Sequence, residues 1–275
     1  MSKESKLVHT LIATTGINLL VGIGACVTGV IRWDRRTPIA FSHAGSDGSG
    51  NLQKRYREEI SLVFALCAVN LLPVIWPTVC LADKWTTSKT GTIRPWTSYS
   101  MNITKLGINP YRWFELAFSV PLVVMVCAIS LGANDFLFLL TQMVLAAAIV
   151  IIGYGQEREK FVNTTRDVRF PWFPLSSATG LFYCQWALIF WNAYEARAFI
   201  NETQAFGFGP TTCYLAGATA TVYVMACTST YATSAFELLF KPIKNCDAEI
   251  WQQSISCATR VLVTLLCIPL LSRLK

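Results

Sequence analysis

Long apolar runs separated by polar connections organise this chain. Each run holds about 20 residues or more, which is the length an α-helix needs to cross a bilayer core, and none shows the single charged face of a helix on a soluble protein. The pattern predicts an all-α integral membrane protein, a bundle of seven transmembrane helices forming a single domain over residues 1–275. The predicted helices cover residues 8–31, 60–82, 111–131, 136–155, 172–194, 211–239 and 248–271.

Composition and charge support this class and predict an orientation. Hydrophobic residues make up 53% of the chain and charged residues 14%. With the N-terminus in the cytoplasm, the inner segments carry more Lys and Arg than the outer ones, so the sequence predicts a cytoplasmic N-terminus and an outer C-terminus. The net charge of +7 is spread over several short connections, which favours anionic lipid head groups of the bilayer as partners and gives no indication of nucleic acid.

The first long connection, residues 33–50, is rich in turn residues around a short apolar stretch, Ile39 to Phe41. This pattern favours a small β-ribbon or an ordered surface loop on the outer side.

Catalytic and metal chemistry lack their usual residues. The chain has ten cysteines, none in a C-x-x-C spacing and nearly all within apolar runs, where they are expected to be buried small hydrophobic side chains. Only two histidines are present, so neither a metal site nor a histidine-based triad is predicted. We therefore do not expect an enzyme.

Arg260 is the most informative residue because it lies deep in the last apolar run. A guanidinium at the bilayer centre costs about 2.5–3.5 kcal/mol and stays charged, so an anionic partner is expected. Glu115 lies roughly 8 Å into the third helix and Arg260 roughly 18 Å into the seventh. An Arg side chain leans toward the N-terminus of its helix and reaches about 6 Å or more, so the difference in depth between the two residues can be closed. The alternative partner is a water cavity with Ser256, one turn earlier.

Asn18 and Asn70 are further polar residues inside the predicted helices. An Asn between membrane helices most often serves as packing glue through hydrogen bonds worth about 0.6–2 kcal/mol.

Three strings resemble heliorhodopsins in order and spacing. They are Asn109-Pro-Tyr-Arg-Trp-Phe-Glu115-Leu, Gly153-Tyr-Gly-Gln-Glu157 and Pro171-Trp-Phe173. The last helix resembles that family as well, because Glu249, Ser256 and Arg260 have the spacing of the acidic residue, the Ser and the retinal-binding Lys of the family. The resemblance implies a rhodopsin-like fold, an inverted orientation and a homodimer or a membrane-protein partner.

The resemblance also assigns roles to single residues. Glu115 occupies the counterion position and Arg112, one turn earlier, would orient it. Asn18 and Asn70 stand where family members often carry His for proton relay, and Asn has no proton to exchange near neutral pH. Arg260 stands at the position of the retinal Lys, and a guanidinium cannot form a Schiff base. Covalent retinal is therefore not expected.

Three hypotheses remain. In the first, the chain is a heliorhodopsin-like protein that has lost retinal and acts as a light-independent scaffold, partner subunit or sensor. In the second, it is a photoreceptor or light-gated ion pathway that holds retinal without a covalent bond. In the third, it is a transporter of small anions with Arg260 and Glu115 in the substrate path. No internal repeat of the kind common in transporters is present.

Overall fold

Six helices and a two-stranded ribbon make up most of the structure, a computed structural model that describes residues 3–31, 37–46, 52–60, 62–90, 109–133, 135–163, 172–203 and 245–273, with five further residues between 217 and 224. The helices are α1 (Lys3–Ile31), α2 (Leu62–Thr90), α3 (Pro110–Ser130), α4 (Phe136–Asn163), α5 (Trp172–Thr203) and α6 (Asn245–Arg273). The strands are β1 (Thr37–Ser46) and β2 (Leu52–Ile60). The predicted all-α class is confirmed.

The predicted helix at residues 211–239 lies mostly outside the described residues. Those of its residues that are described are helical, and the hydroxyl of Thr221 donates to the carbonyl of Gly217 at 2.8 Å, the spacing of one helical turn. The predicted last helix, residues 248–271, corresponds to α6.

Most helices are longer than the apolar runs that predict them. The fourth was predicted to end at residue 155, whereas α4 continues to Asn163 through a polar, charged stretch. Hydropathy detects only the part of a helix inside the hydrocarbon, and backbone hydrogen bonding carries the helix on into the aqueous interface. The second helix was predicted from Ile60, but Ile60 is the last residue of β2 and α2 starts at Leu62.

The predicted β-ribbon is confirmed and extends further than expected. Strand β1 pairs antiparallel with β2, with Thr37 opposite Ile60 and Phe41 opposite Arg55. The register shifts between Ile39 and Ala40, which marks a bulge. The second strand could not be predicted from the sequence, because it lacks the apolar alternation that marks a half-buried strand. Its residues are Leu-Gln-Lys-Arg-Tyr-Arg-Glu-Glu-Ile.

The described helices pack as sequential neighbours from α1 to α5, and α6 packs against α1 while also contacting α2 and α3. The interior of this bundle holds an apolar core together with buried polar and charged side chains, and further large apolar side chains lie on its outside. Examples of exposed apolar residues are Leu20, Val144, Ile151 and Trp191. Water would disfavour such a surface and lipid favours it.

Three helical segments of the described residues are long and apolar enough to cross a membrane by length and composition. They are Lys6–Thr28, Tyr111–Ser130 and Phe136–Arg158. Together with the outward-facing apolar side chains, they identify an integral membrane protein.

A tight turn between α3 and α4 holds these two helices antiparallel. Gly132 has a φ of 96°, a left-handed conformation that favours glycine, and the amide of Ala133 donates back to the carbonyl of Ala128 at 3.0 Å. Asp135 then caps α4 by accepting from the amide of Phe138 at 2.9 Å. These caps satisfy backbone groups that the helix ends would otherwise leave unpaired.

Gly22 marks a close approach between α1 and α2. A Cβ atom at this position would lie 2.7 Å from Cδ2 and 2.9 Å from Cγ of Leu71. A Cβ at Gly24, two residues further along α1, would meet nothing within 4 Å. The two positions therefore form a matched pair, one packed against α2 and one open.

We expect Gly22→Leu to destabilise the protein by about 1–3 kcal/mol, since the larger side chain must push α2 away. Gly24→Leu should have little effect or stabilise slightly, because Leu is a better helix former than Gly. The apparent midpoint of thermal unfolding in detergent measures both. Equal midpoints for the two variants would contradict close packing at Gly22.

Candidate functional site in the helix bundle

One face of α3 carries the polar residues of the candidate site. Asn109 caps the helix, with its side-chain oxygen accepting from the amide of Arg112 at 3.2 Å and Pro110 in the first turn. Residues at intervals of three and four share a helix face, so Arg112, Glu115 and Ser119 all point into the bundle and all are buried. The opposite face of α3 is apolar and exposed.

Glu115 and Arg260 form an ion pair inside the bundle. The guanidinium of Arg260 on α6 contacts Oε1 of Glu115 on α3, and each residue is 5% exposed. Ser119 joins the pair, because its hydroxyl donates to Oε1 of Glu115 at 3.0 Å and lies 3.4 Å from Nη2 of Arg260. Two opposite charges removed from water in this way stabilise each other, and either alone would be strongly unfavourable.

The hydroxyl that completes this site is on α3 rather than α6. Ser256, considered as an alternative partner for Arg260, is partly buried and forms no hydrogen bond with Arg260 among the described residues. Ser119 was absent from the predicted site. Its position four residues after Glu115 on the same helix face is the signal that could have identified it.

Arg112 does not orient Glu115, so that expectation was wrong. Its guanidinium binds both carboxylate oxygens of Glu157 on α4, at 2.8 and 2.9 Å, and contacts Glu249 on α6. Helical side chains lean toward the N-terminus of their helix, and Glu115 lies in the C-terminal direction from Arg112. The side chain of Arg112 therefore extends toward the end of the bundle and away from the Glu115–Arg260 ion pair, called the inner pair below.

The partners of Arg112 form an end cluster that joins the start of α3, the end of α4 and the start of α6. Glu249 is 3% exposed and accepts from the side-chain amides of Asn109, at 2.8 Å, and Gln253, at 3.1 Å. The end cluster consists of Asn109, Arg112, Trp113, Glu157, Glu249 and Gln253. Each of its two carboxylates binds charged or polar donors, so the burial of its charges is compensated.

Trp113 attaches a large side chain to the end cluster. Its indole N–H donates to Glu157, and the Arg112 guanidinium lies 5.2 Å from the centre of its ring. The ring fits against α4 only because residue 153 is glycine: a Cβ there would lie 2.7 Å from Cη2 and 2.8 Å from Cζ3 of Trp113. At Gly155, two residues away, a Cβ would meet nothing within 4 Å.

Glu157 and Glu249 were not predicted as site residues, although Glu157 lies in one of the three strings and Glu249 has the spacing of the family's acidic residue in the last helix. Helices α3 and α6 run in the same direction and α4 runs opposite to them, so the start of α3, the end of α4 and the start of α6 share one end of the bundle. The presence of charged residues at these three helix ends was the signal from which the end cluster could have been predicted.

Asn70 and Asn18 are both buried, on adjacent helices. The side-chain amide of Asn70 donates to the carbonyl of Leu66 at 2.8 Å and to the hydroxyl of Thr264 on α6 at 2.7 Å. Thr264 lies one turn after Arg260, so Asn70 belongs to the same side of α6 as the inner pair. The side-chain oxygens of Asn18 and Asn70 have no hydrogen-bond partner within the described part of the chain.

Within the described ranges, no group of three or more His, Cys, Asp and Glu side chains could hold a metal ion. The charged assemblies in the described part of the chain are the inner pair and the end cluster. Glu249 and Arg260 lie 11 residues apart on α6, about 16 Å along the helix axis.

The family model described as heliorhodopsin matches residues 60–226, more than half of the chain. The chain belongs to the heliorhodopsin family. Among solved structures, its fold is similar to that of the light-driven proton pump rhodopsin of Coccomyxa subellipsoidea, with a TM-score of 0.62 and 10% identity over 96% of both chains. No curated protein matches the sequence.

This heliorhodopsin-family chain carries its charged sites partly inside and partly outside the matched range. Glu115, Arg112 and Glu157 lie within it, whereas Glu249 and Arg260 follow it on α6. The similarity to the Coccomyxa rhodopsin concerns the fold, a microbial-rhodopsin bundle of membrane-spanning helices. The resemblance predicted from the three strings is confirmed at the level of the family.

We expect Arg260→Met to lower the free energy of unfolding by about 3–5 kcal/mol, because it leaves the Glu115 carboxylate buried without its cation. The double variant with Glu115→Leu and Arg260→Met should recover most of this loss, since both charges are then absent. Chemical or thermal unfolding in detergent measures the three proteins. A double variant as unstable as Arg260→Met would contradict mutual compensation of the two charges.

We expect Gly153→Ala to destabilise the end cluster, because the new methyl group displaces the rigid Trp113 ring from Glu157. A loss of about 1–3 kcal/mol is typical of such overpacking. Gly155→Ala is the matched control on the same helix and should be neutral or slightly stabilising. The difference between the two unfolding midpoints tests the contact, and a difference of zero would argue against it.

Proposed function

We propose that this heliorhodopsin-family protein works without a covalent chromophore, as a light-independent scaffold, partner subunit or sensor in the membrane. The observation that carries the proposal is the ion pair between Arg260 and Glu115. In this proposal Arg260 stands where family members have the retinal-binding Lys, and Glu115 keeps the position of the counterion.

Chemistry at position 260 supports the loss of the pigment. A Schiff base forms from a primary amine that can lose a proton, and the delocalised guanidinium of Arg260 offers none. The lysines of the described helices lie at helix ends: Lys3 and Lys6 in α1, Lys84 and Lys89 in α2, and Lys160 in α4. None of these can replace an amine in the middle of α6.

The electrostatics of the inner pair support the same proposal. A protonated Schiff base is a buried cation that needs a nearby carboxylate, and removing it would leave Glu115 as an uncompensated charge. Arg260 supplies a permanent cation with hydrogen-bond donors that reach both Glu115 and Ser119. The bundle thereby keeps the stabilising contact between α3 and α6 without a chromophore.

Asn18 and Asn70 support a light-independent role. On the resemblance they occupy positions where family members often carry His, and an amide neither accepts nor releases a proton near neutral pH. Asn70 also has a structural partner, because it donates to Thr264 and so joins α2 to α6. In our proposal these residues hold helices together and relay no protons.

We further propose a cytoplasmic N-terminus and an outer C-terminus, supported by the excess of Lys and Arg in the segments that would lie inside. The partners of the protein would be the bilayer and either a second copy of the chain or another membrane protein. No enzymatic activity is expected. The anion-transporter hypothesis is weakened by the inner pair, because Glu115 already neutralises the cation that an anion would need.

The test is a visible absorption spectrum after incubation with all-trans retinal. We expect the native protein to stay colourless and Arg260→Lys to gain a visible band, because the new amine can form a protonated Schiff base beside Glu115. The double variant with Glu115→Gln and Arg260→Lys is the matched control. It should lose the visible band, since a neutral amide stabilises the protonated form less well than a carboxylate.

Three outcomes would contradict parts of the proposal. A native band that hydroxylamine bleaches would indicate a lysine-bound chromophore elsewhere in the chain. A native band that resists hydroxylamine but disappears on solvent extraction would favour retinal held without a covalent bond. A colourless Arg260→Lys protein that is folded by thermal unfolding would argue against Arg260 occupying the chromophore position.

A further inference from the structure

Two cysteines face each other between α1 and α2, close to the ends that lead into the β-ribbon. Cys26 lies five residues before the end of α1 and Cys67 five residues after the start of α2. Both are free thiols, and their side chains are close enough to interact. Cys67 belongs to the buried core and Cys26 packs against that core from a partly exposed position.

The packing of the two helices one turn away supports this juxtaposition independently. Gly22 is four residues before Cys26 and approaches Leu71, which is four residues after Cys67. In an antiparallel pair, such steps in opposite sequence directions lead to the same level. The close approach at Gly22 therefore brings the backbones near each other at the next turn, as a disulfide requires, with Cβ atoms about 3.5–4.5 Å apart.

We propose that Cys26 and Cys67 form a reversible intramolecular disulfide that fastens α1 to α2 next to the β-ribbon. The oxidant is a small disulfide that can enter the membrane. Cys26, the more accessible thiol, attacks it as the thiolate and releases one thiol, which leaves a mixed disulfide on Cys26. Cys67 then attacks the Cys26 sulfur and releases the second thiol. Two protein thiols are oxidised and one small disulfide is reduced to two thiols.

This disulfide would fix a part of the bundle that also carries the polar contacts of α2. Asn70 is one turn from Cys67 and bonds to Thr264 of α6, so a link at Cys67 restrains the helix that makes this contact. On the orientation proposed above, the ribbon end faces the outer side, where disulfides persist. The orientation affects where the bond would be stable and not whether the two thiols can form it.

The experiment uses the full chain in lipid nanodiscs with 4,4′-dithiodipyridine as the oxidant. Trypsin then yields two peptides under non-reducing conditions, residues 7–32 with Cys26 and residues 58–84 with Cys67. Because the second peptide also contains Cys80, the experiment is run in a Cys80→Ala background. We expect a cross-linked pair of these peptides that disappears after treatment with dithiothreitol.

Two variants provide controls. Cys26→Ala should abolish the cross-link, whereas Cys184→Ala should leave it unchanged, because Cys184 is an exposed thiol on α5. Oxidation should also raise the apparent unfolding midpoint by several degrees in the Cys80→Ala protein and leave Cys26→Ala unaffected, since a cross-link restricts the unfolded chain.

The proposal is overturned if Cys26 and Cys67 are recovered as separate thiols or separate pyridyl adducts after oxidation of the folded protein. It is also overturned if the cross-linked peptides come only from two different chains, which mixing of isotope-labelled and unlabelled protein reveals. Cys26 is the partly exposed member of the pair, so Cys26→Ala tests the proposal without removing a side chain from the core. The result is independent of retinal binding.

Discussion

A permanent positive charge inside a membrane bundle is the constraint on which the rest of this structure depends. Arg260 cannot lose its charge, so the bundle must supply a carboxylate at the same place, and Glu115 does so from the neighbouring α3. This constraint fixes the rotation of both helices about their axes. Helix α3 must turn the face that carries Glu115 inward, and α6 must turn the face that carries Arg260 inward. Ser119 on that face of α3 and Thr264 on that face of α6 then find polar partners, while the opposite faces remain apolar toward lipid.

The end cluster also pairs buried opposite charges across helices, at another level of the bundle. Arg112 binds carboxylates from α4 and α6, so three helices are joined near the ends of their apolar segments. Between the two levels, α3 and α6 are held at two points along their length. In a membrane, where burial of apolar surface gives little drive for helices to associate, such polar links and close packing at Gly22 and Gly153 supply specificity.

Sequence reasoning reached the fold class, the family and the pairing of Arg260 with Glu115, because depth along a helix and the cost of an unpaired charge are readable from the sequence. The partners of Arg112 were not predicted correctly. They depend on the direction in which its side chain leans and on which helices meet at the end of the bundle that holds the end cluster. Sequence reasoning left Glu157 and Glu249 without a role for the same reason. The extent of β2 could not be predicted, because the strand is defined by its backbone pairing with β1 and carries no apolar pattern.

The difference between Arg and Lys at position 260 concerns what a charge can do once it is buried. A lysine-derived Schiff base can give up its proton, so its contact with a carboxylate can be broken and remade, and that change can alter helix packing. The guanidinium of Arg260 has no such neutral state near physiological pH, and its contact with Glu115 can change only if the helices themselves move apart. Under the proposed function, a signal through this bundle would therefore begin with a partner, a lipid or a covalent modification acting on the helices. The inner pair would resist such a movement instead of initiating it.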